Sequence, residues 1–160
     1  MDNYVFFWGE KEKFGFMSNF YPCKFTVGTN TFNCSEQYFM KMKQEVFDNS
    51  NHALGEKIMN ETNPIKIKKL GREVSNYNEQ VWNQQRYKHM YNGNYLKYSQ
   101  NPELKNQLLA TGSKILVEAS PYDKIWGIGW TKVSALANIN SWGQNLLGKV
   151  LMELRAKLSV

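Results

Sequence analysis

The chain has 160 residues, 42% of them hydrophobic and 21% charged, with a formal net charge of +6. Those proportions predict one soluble globular domain over residues 1–160 and exclude a disordered, collagen-like or coiled-coil chain. No apolar run approaches the ~20 residues that a membrane span needs. The first ten residues lack the basic-then-apolar order of a secretory leader, and Cys23 and Cys34 alone cannot build a disulfide framework. A reducing, cytoplasmic setting without membrane contact is the expectation.

In chain order, Tyr4–Trp8 (YVFFW) reads as a short strand and Cys23–Val27 as another. Val27-Gly28-Thr29-Asn30 then turns the chain into Thr31-Phe32, which predicts a hairpin. Asn33-x-x-Glu36 ahead of an apolar run has the capping-box pattern and predicts a helix from Asn33 to Phe47. A second helix is expected over Asn51–Met59. Asn63-Pro64 pairs a capping residue with proline at the first helical position, and Ile67, Leu70 and Val74 follow at helical spacing. The next helix is expected over Asn78–Tyr91, with Trp82, Arg86, His89 and Met90 on neighbouring turns. Asn101-Pro102-Glu103 opens a further one that Thr111-Gly112 ends, and Lys114–Glu118 (KILVE) has strand character. Trp142–Leu158 carries the strongest helical pattern, an apolar stripe of Leu147, Val150, Leu151, Leu154 and Leu158. The sum is an α+β fold, a single helix-rich domain around a small β-sheet.

The positive charge favours an anionic ligand. His52 and His89 stand alone, so no zinc spacing exists and no built-in metal or other cofactor is expected. Walker, dinucleotide-binding and Gly-x-Ser-x-Gly signatures are also missing. What remains is a set of carboxylates, lysines and tryptophans. Glu36 and Lys43 are seven residues apart, nearly two helical turns, and share a face. Glu36 also has a purely structural reading as the capping-box acid, and Lys43 one as part of a solvated Lys41-Met42-Lys43 cluster. Asp123 and Trp126 follow the Ser120-Pro121 turn signal, which suits either a sugar- or base-binding loop or an ordinary Asp turn beside a packed tryptophan. Lys66, Lys68, Lys69 and Arg72 crowd one helix, as a solvated face or a phosphate contact.

Taken together, the motifs resemble the NADAR (YbiA-like) family from about Phe6 to Leu158. Ser18-Asn19-Phe20 is similar to its SNF element, Ser35-Glu36-Gln37-Tyr38-Phe39 with Lys43 to its SEHxYQAxK helix, and Lys68-Lys69-Leu70-Gly71-Arg72 to its AKxLGR segment. Trp82 with Met90, Thr111-Gly112 with Leu116-Val117-Glu118, and Asp123 with Trp126-Gly127-Ile128-Gly129 continue the order. Trp142-Gly143-Gln144-Asn145-Leu146-Leu147-Gly148, then Leu151, Met152 and Arg155, complete it. Met40, Met42 and Ile67 depart from the family pattern, and Trp130–Ser141 is this chain's own.

The resemblance implies a cofactor-free N-glycosidase, a hydrolase cutting the bond between a base nitrogen and ribose. Its expected substrates are phosphorylated ribosides, either ADP-ribose conjugates, including ADP-ribosylated guanine in DNA, or phosphorylated riboflavin-pathway intermediates. It implies Glu36 as the catalytic carboxylate that stabilises the cation or activates water, Lys43 as the second choice, a nucleophile forming a Schiff base with opened ribose, and Asp123 as an aid to the reaction that orients ribose hydroxyls. Trp82, Trp126, Asn19, Gly127, Asn145, Lys68 and Arg72 are the implied substrate-binding set, Gly127 with backbone geometry as its other reading. Trp8, Trp130 and Trp142 are expected to pack. Two other classes stand beside the enzyme: a module that binds ADP-ribose or an NAD derivative without turnover, and a nucleic-acid-binding protein, for which no basic stripe interleaved with aromatics is present.

Overall fold

The computed structural model describes residues 3–160. In chain order its elements are β1 (Tyr4–Phe7), β2 (Phe25–Val27), β3 (Asn30–Phe32), α1 (Ser35–Phe47), α2 (His52–Asn60), α3 (Pro64–Gly71), α4 (Glu79–Gln100), α5 (Pro102–Leu109), β4 (Ile115–Glu118), α6 (Lys132–Ala135) and α7 (Leu146–Leu158), with 3-10 turns at Gly15–Met17 and Leu136–Ser141. The fold is α+β, and its strands form two separate pairs, β1 with β4 and β2 with β3. The chain divides into two compact units: Pro22–Asn101, and the segment up to Tyr21 together with Pro102–Val160.

In the first unit, β2 and β3 are antiparallel, Phe25 opposite Phe32 and Val27 opposite Asn30. Gly28 takes a φ of +58° at the turn, a conformation glycine adopts without steric cost. The alternating pattern puts Phe25 and Phe32 on the buried side, where their rings stack at 5.4 Å and Tyr38 of α1 meets Phe32 edge-on at 5.3 Å. Asn63 caps α3 by accepting the Ile65 N–H at 2.9 Å, with Pro64 just inside, as the sequence predicts. Asn51 and Asn78 cap α2 and α4 in the same way.

Helix α4 continues from its predicted end at Tyr91 to Gln100. Gly93, which would weaken an isolated helix, lies against Tyr38: an added Cβ would stand 2.6 Å from that ring. Asn94 turns its amide back to the Met90 carbonyl at 3.0 Å, so it supports the helix and does not end it. The true stop is Asn101-Pro102, where proline has no N–H to continue the ladder.

In the second unit, β1 and β4 run parallel, from Tyr4 opposite Ile115 to Phe7 opposite Glu118. Val117, Ala119, Ile128 and Ala135 form a buried cluster, with Tyr4, Phe6, Trp130 and Trp142 packed on it. Trp130 and Trp142 therefore pack as expected. Trp8 does not: it is 39% exposed, its ring tilted against that of the exposed Tyr122 at 5.9 Å. Helix α7 buries Leu147, Val150, Leu151 and Leu154, the predicted stripe. It begins at Leu146 and not at Trp142, because Asn145 directly before it takes a left-handed backbone conformation, φ +51°.

Candidate active site

Helix α1 carries the first group of candidate residues. The chain stays extended through Cys34, so the helix starts at Ser35 and the predicted Asn33–Glu36 capping box does not form. The reciprocal bond is shifted by one residue: Gln37 Oε1 accepts the Asn33 N–H at 2.8 Å. Gln37 is fully buried, and its amide nitrogen donates to the carbonyls of Ile58 and Met59 at 3.0 and 3.1 Å, tying the start of α1 to the end of α2. Glu36 is thus relieved of the capping role. It lies buried in the first turn of α1, where the helix dipole favours a negative charge.

Lys43 sits two turns further along the same helix, half-buried. Its amine donates to the Gly71 carbonyl at 2.9 Å and lies 4.9 Å from the centre of the Tyr77 ring. Burial lowers its pKa, the Glu36 carboxylate opposes that shift, and the Arg72 guanidinium adds to it. Glu36, Lys43 and Arg72 therefore form one electrostatic group around the α1 face and the end of α3. Lys68 is exposed on α3. Trp82 is buried, its ring 5.1 Å from Phe39 and 5.7 Å from a stacked His89.

Tyr77 and Gln37 adjoin the candidate residues although no sequence pattern singles them out. Tyr77 lies in a polar stretch with no periodic signal, and Gln37 was visible only as the neighbour of Glu36. Lys97 is a further surprise. It is fully buried, and burial pulls its amine down to about 8 against the opposing pull of the Cys23 and Cys34 thiols. Both cysteines are free.

The second unit holds the loop after β4. Asp123 Oδ1 accepts the N–H groups of Ile125 and Trp126, each at 2.8 Å, and so folds the loop back on itself. That turn aims the carbonyls of residues 124–128 at the segment before α7. Gly143, Gln144, Asn145, Leu146 and Leu147 donate to Ile128, Lys124, Gly127, Ile125 and Trp126 at 2.7–3.1 Å. The orphan amides at the start of a helix are in this way satisfied by a loop. Gly127 allows the close approach, since a Cβ there would stand 2.8 Å from the Glu118 carbonyl.

Asn145 uses both ends of its amide on β4. Its Oδ1 accepts the Glu118 N–H and its Nδ2 donates to the Leu116 carbonyl, each at 3.0 Å. Trp126 is half-buried, and Asn19 is half-buried beside the Ser18 turn, whose hydroxyl accepts the Phe20 N–H at 3.1 Å. Asp123, Trp126, Gly127 and Asn145 thus share one hydrogen-bonded scaffold. Among the described residues, no group of three or more His, Cys, Asp or Glu side chains could hold a metal ion.

Residues 6–159 match the NADAR domain. The chain belongs to the NADAR family. N-glycosidase R617 of Acanthamoeba polyphaga mimivirus is 45% identical to it over 165 residues, covering 96% of this chain and 95% of that protein. N-glycosidase YbiA of Escherichia coli (strain K12) is 30% identical over 159 residues, covering 99% and 91%. The riboflavin biosynthesis protein VVA0006 of Vibrio vulnificus (strain YJ016) is 33% identical over 158 residues, which are 99% of this chain and 39% of that protein. The NMR structure of E. coli YbiA superposes with a TM-score of 0.80 at 30% identity, covering 99% of this chain and 86% of that one. The NADAR family thus includes N-glycosidases, and its fold is the α+β fold expected from the sequence. Among the described residues no helix is long and apolar enough to cross a membrane.

Proposed function

We propose that this NADAR chain is an N-glycosidase that hydrolyses the bond between a base nitrogen and the ribose anomeric carbon of a phosphorylated riboside. The observation that carries the reading is the buried Glu36 coupled to a lysine whose pKa burial depresses. Breaking this bond builds oxocarbenium-like positive charge on the ribose. A carboxylate held in a water-poor setting stabilises that charge where it develops. This role is assigned to Glu36.

Lys43 is assigned the nucleophile. Its neutral amine adds to the anomeric carbon as the C–N bond breaks, and the leaving nitrogen takes up a proton. Transfer of an amine proton to the ring oxygen and ring opening give an imine, which water hydrolyses to the phosphorylated ribose and the regenerated amine. The Gly71 carbonyl orients the amine, and its lowered pKa raises the neutral fraction. No cofactor enters these steps. Asp123 is assigned to ribose hydroxyls, Trp126 and Trp82 to the walls around the sugar and base, and Asn19, Gly127 and Asn145 to substrate binding. Lys68 and Arg72, cationic and exposed, are assigned to phosphate.

The substrate classes are ADP-ribose conjugates, including ADP-ribosylated guanine in DNA, and phosphorylated riboflavin-pathway intermediates. The net charge of +6 suits both, and the name of VVA0006 supports the second. Two free thiols suit a reducing compartment such as the cytoplasm. Glu36→Ala tests the assignment: turnover is expected to fall at least about 100-fold while the far-UV spectrum and melting temperature stay near wild type. Turnover undiminished in that folded variant removes Glu36 from the chemistry. A wild-type protein that binds ADP-ribose yet never turns over either class is a binding module.

A further inference from the structure

The N-glycosidase reading leaves one cluster of reactive side chains unused: Cys23, Cys34 and Lys97. The chain's two cysteines lie on the two arms of the β2–β3 hairpin. Phe25 stands opposite Phe32, and counting outward by two residues on each arm puts Cys23 opposite Cys34. The arms stay in contact there, because the Cys23 N–H donates at 3.0 Å to the carbonyl of Asn33, the residue just before Cys34. Cys34 itself is extended, φ −169° and ψ 164°. Side chains two apart share a face of a strand, and Cys23 packs on the buried cluster of Phe25, Phe32 and Tyr38. Opposed Cα atoms of antiparallel strands stand about 4.5–5.5 Å apart, inside the roughly 4.4–6.8 Å that a disulfide spans.

A buried amine lies beside the pair. Lys97 is fully buried on α4. One turn before it, Asn94 Oδ1 accepts from the Ser35 hydroxyl at 3.4 Å. One turn after it, the Asn101 amide donates to the carbonyls of Lys24 and Lys97 at 2.9 and 2.8 Å. These bonds hold the Lys97 turn of α4 against the residues that flank each cysteine. Thiolate is the nucleophilic form of cysteine, and a neighbouring cation favours it. Burial raises the pKa of both thiols, that of Cys34 to about 12, and Lys97 opposes the rise at Cys23. Cys23 is half-buried and Cys34 buried, so a small oxidant arriving from water meets Cys23 first.

We infer that Cys23 and Cys34 are an oxidation site, which hydrogen peroxide closes reversibly into a cross-strand disulfide. The Cys23 thiolate sulfur attacks one peroxide oxygen, the O–O bond breaks, and the departing hydroxide takes up a proton as water. The Cys34 thiolate then attacks the sulfur of the resulting sulfenic acid, forming the S–S bond and releasing a second water. The two thiols lose two electrons in all, and the peroxide takes them up. A dithiol reverses the closure by exchange and is itself oxidised to a disulfide. Cys34 directly precedes α1, and Glu36 lies two residues beyond it, so the bond clamps the hairpin to the start of that helix. This chemistry is independent of the N-glycosidase reading.

The test treats the dilute full chain with hydrogen peroxide, alkylates the remaining thiols and reads intact and peptide masses. A monomer lighter by two hydrogen atoms is expected, with no thiol left to alkylate and the Cys23 and Cys34 peptides joined. Dithiothreitol is expected to restore both thiols. The rate should rise with pH as thiolate forms. Cys34→Ala should stop at a sulfenic acid on Cys23 that dimedone captures, whereas Cys23→Ala should keep Cys34 reduced over the same time. Lys97→Met should move the rate profile to higher pH by about one unit or more, a shift that lost packing alone would not give. Where a variant fails to fold, the wild-type masses still decide. Chains joined only as dimers, or Cys23 taken to sulfinic acid beside a free Cys34, overturn the inference. So do two thiols that survive peroxide under conditions that oxidise the urea-unfolded chain.

Discussion

Lys43 shows how the surroundings of one side chain set its basicity. Half-burial penalises its ammonium, Glu36 partly restores it, and Arg72 penalises it again. A lysine with a lowered pKa yields neutral amine at lower pH than an ordinary lysine does. The rate of an amine-initiated reaction is therefore expected to rise with pH and level off below the usual lysine value of 10.5. Removing a neighbouring cation raises the pKa, so Arg72→Ala should move that rising limb to higher pH, whatever it does to KM. Borohydride added during turnover is expected to leave a mass adduct on Lys43 in the wild type and none in Lys43→Arg. A pH profile that ignores both substitutions, with no adduct, favours direct attack by water.

Asp123 raises a different question, because its Oδ1 already serves two backbone amides. Asp123→Asn keeps that acceptor and loses the charge, whereas Asp123→Ala loses both. Asp123→Ala should cost about 1–3 kcal/mol of stability and loosen the loop, and Asp123→Asn should melt near wild type. If Asp123 also orients ribose hydroxyls, Asp123→Asn shows a raised KM with an intact fold. Unchanged kinetics in Asp123→Asn would leave it a loop-shaping residue only.

Among the elements, α7 and the loop after β4 depend most on each other. Asn145 takes a left-handed backbone conformation, φ +51°, at the start of α7, and its amide bridges two rungs of β4. Asn145→Ala should lower stability by about 2–4 kcal/mol, since it strands a buried donor and acceptor; urea midpoints measure this. A shift below about 0.5 kcal/mol, the range of ordinary surface substitutions, would mean that β4 does not rely on the bridge.

The same elements show what local sequence carries. The Asn63-Pro64 start of α3 was legible because cap and proline act within one turn. The start of α1 was not: Asn33-x-x-Glu36 mimics a capping box, but the reciprocal bond belongs to Gln37. The expected end of α4 at Tyr91 falls two residues short of Gly93, and only the approach of Tyr38 makes glycine an asset there. The early Trp142 start for α7 failed because Asn145 takes a left-handed backbone conformation that a helix cannot continue through, held there by its amide bonds to β4. For the site, the Glu36–Lys43 spacing was readable from helical geometry. The Gly71 carbonyl and Tyr77 ring that receive Lys43 come from a segment about 30 residues on, and no local pattern announces them.

For the whole molecule, the match to the NADAR domain spans nearly the full chain and draws on both compact units. The positive charge excess and exposed Lys68 and Arg72 fit a phosphate-bearing riboside better than a long nucleic-acid track, which needs an aromatic-studded basic stripe. The proposed reaction is the breaking of a base–ribose bond. The most direct measurement incubates purified wild-type protein with guanine-ADP-ribosylated DNA and, in parallel, with phosphorylated riboflavin-pathway intermediates, following released base and sugar by mass spectrometry. The expected products are free ADP-ribose from the first or ribose 5-phosphate from the second, in amounts exceeding the enzyme present. Intact substrates in both arms, from a folded protein, would contradict it.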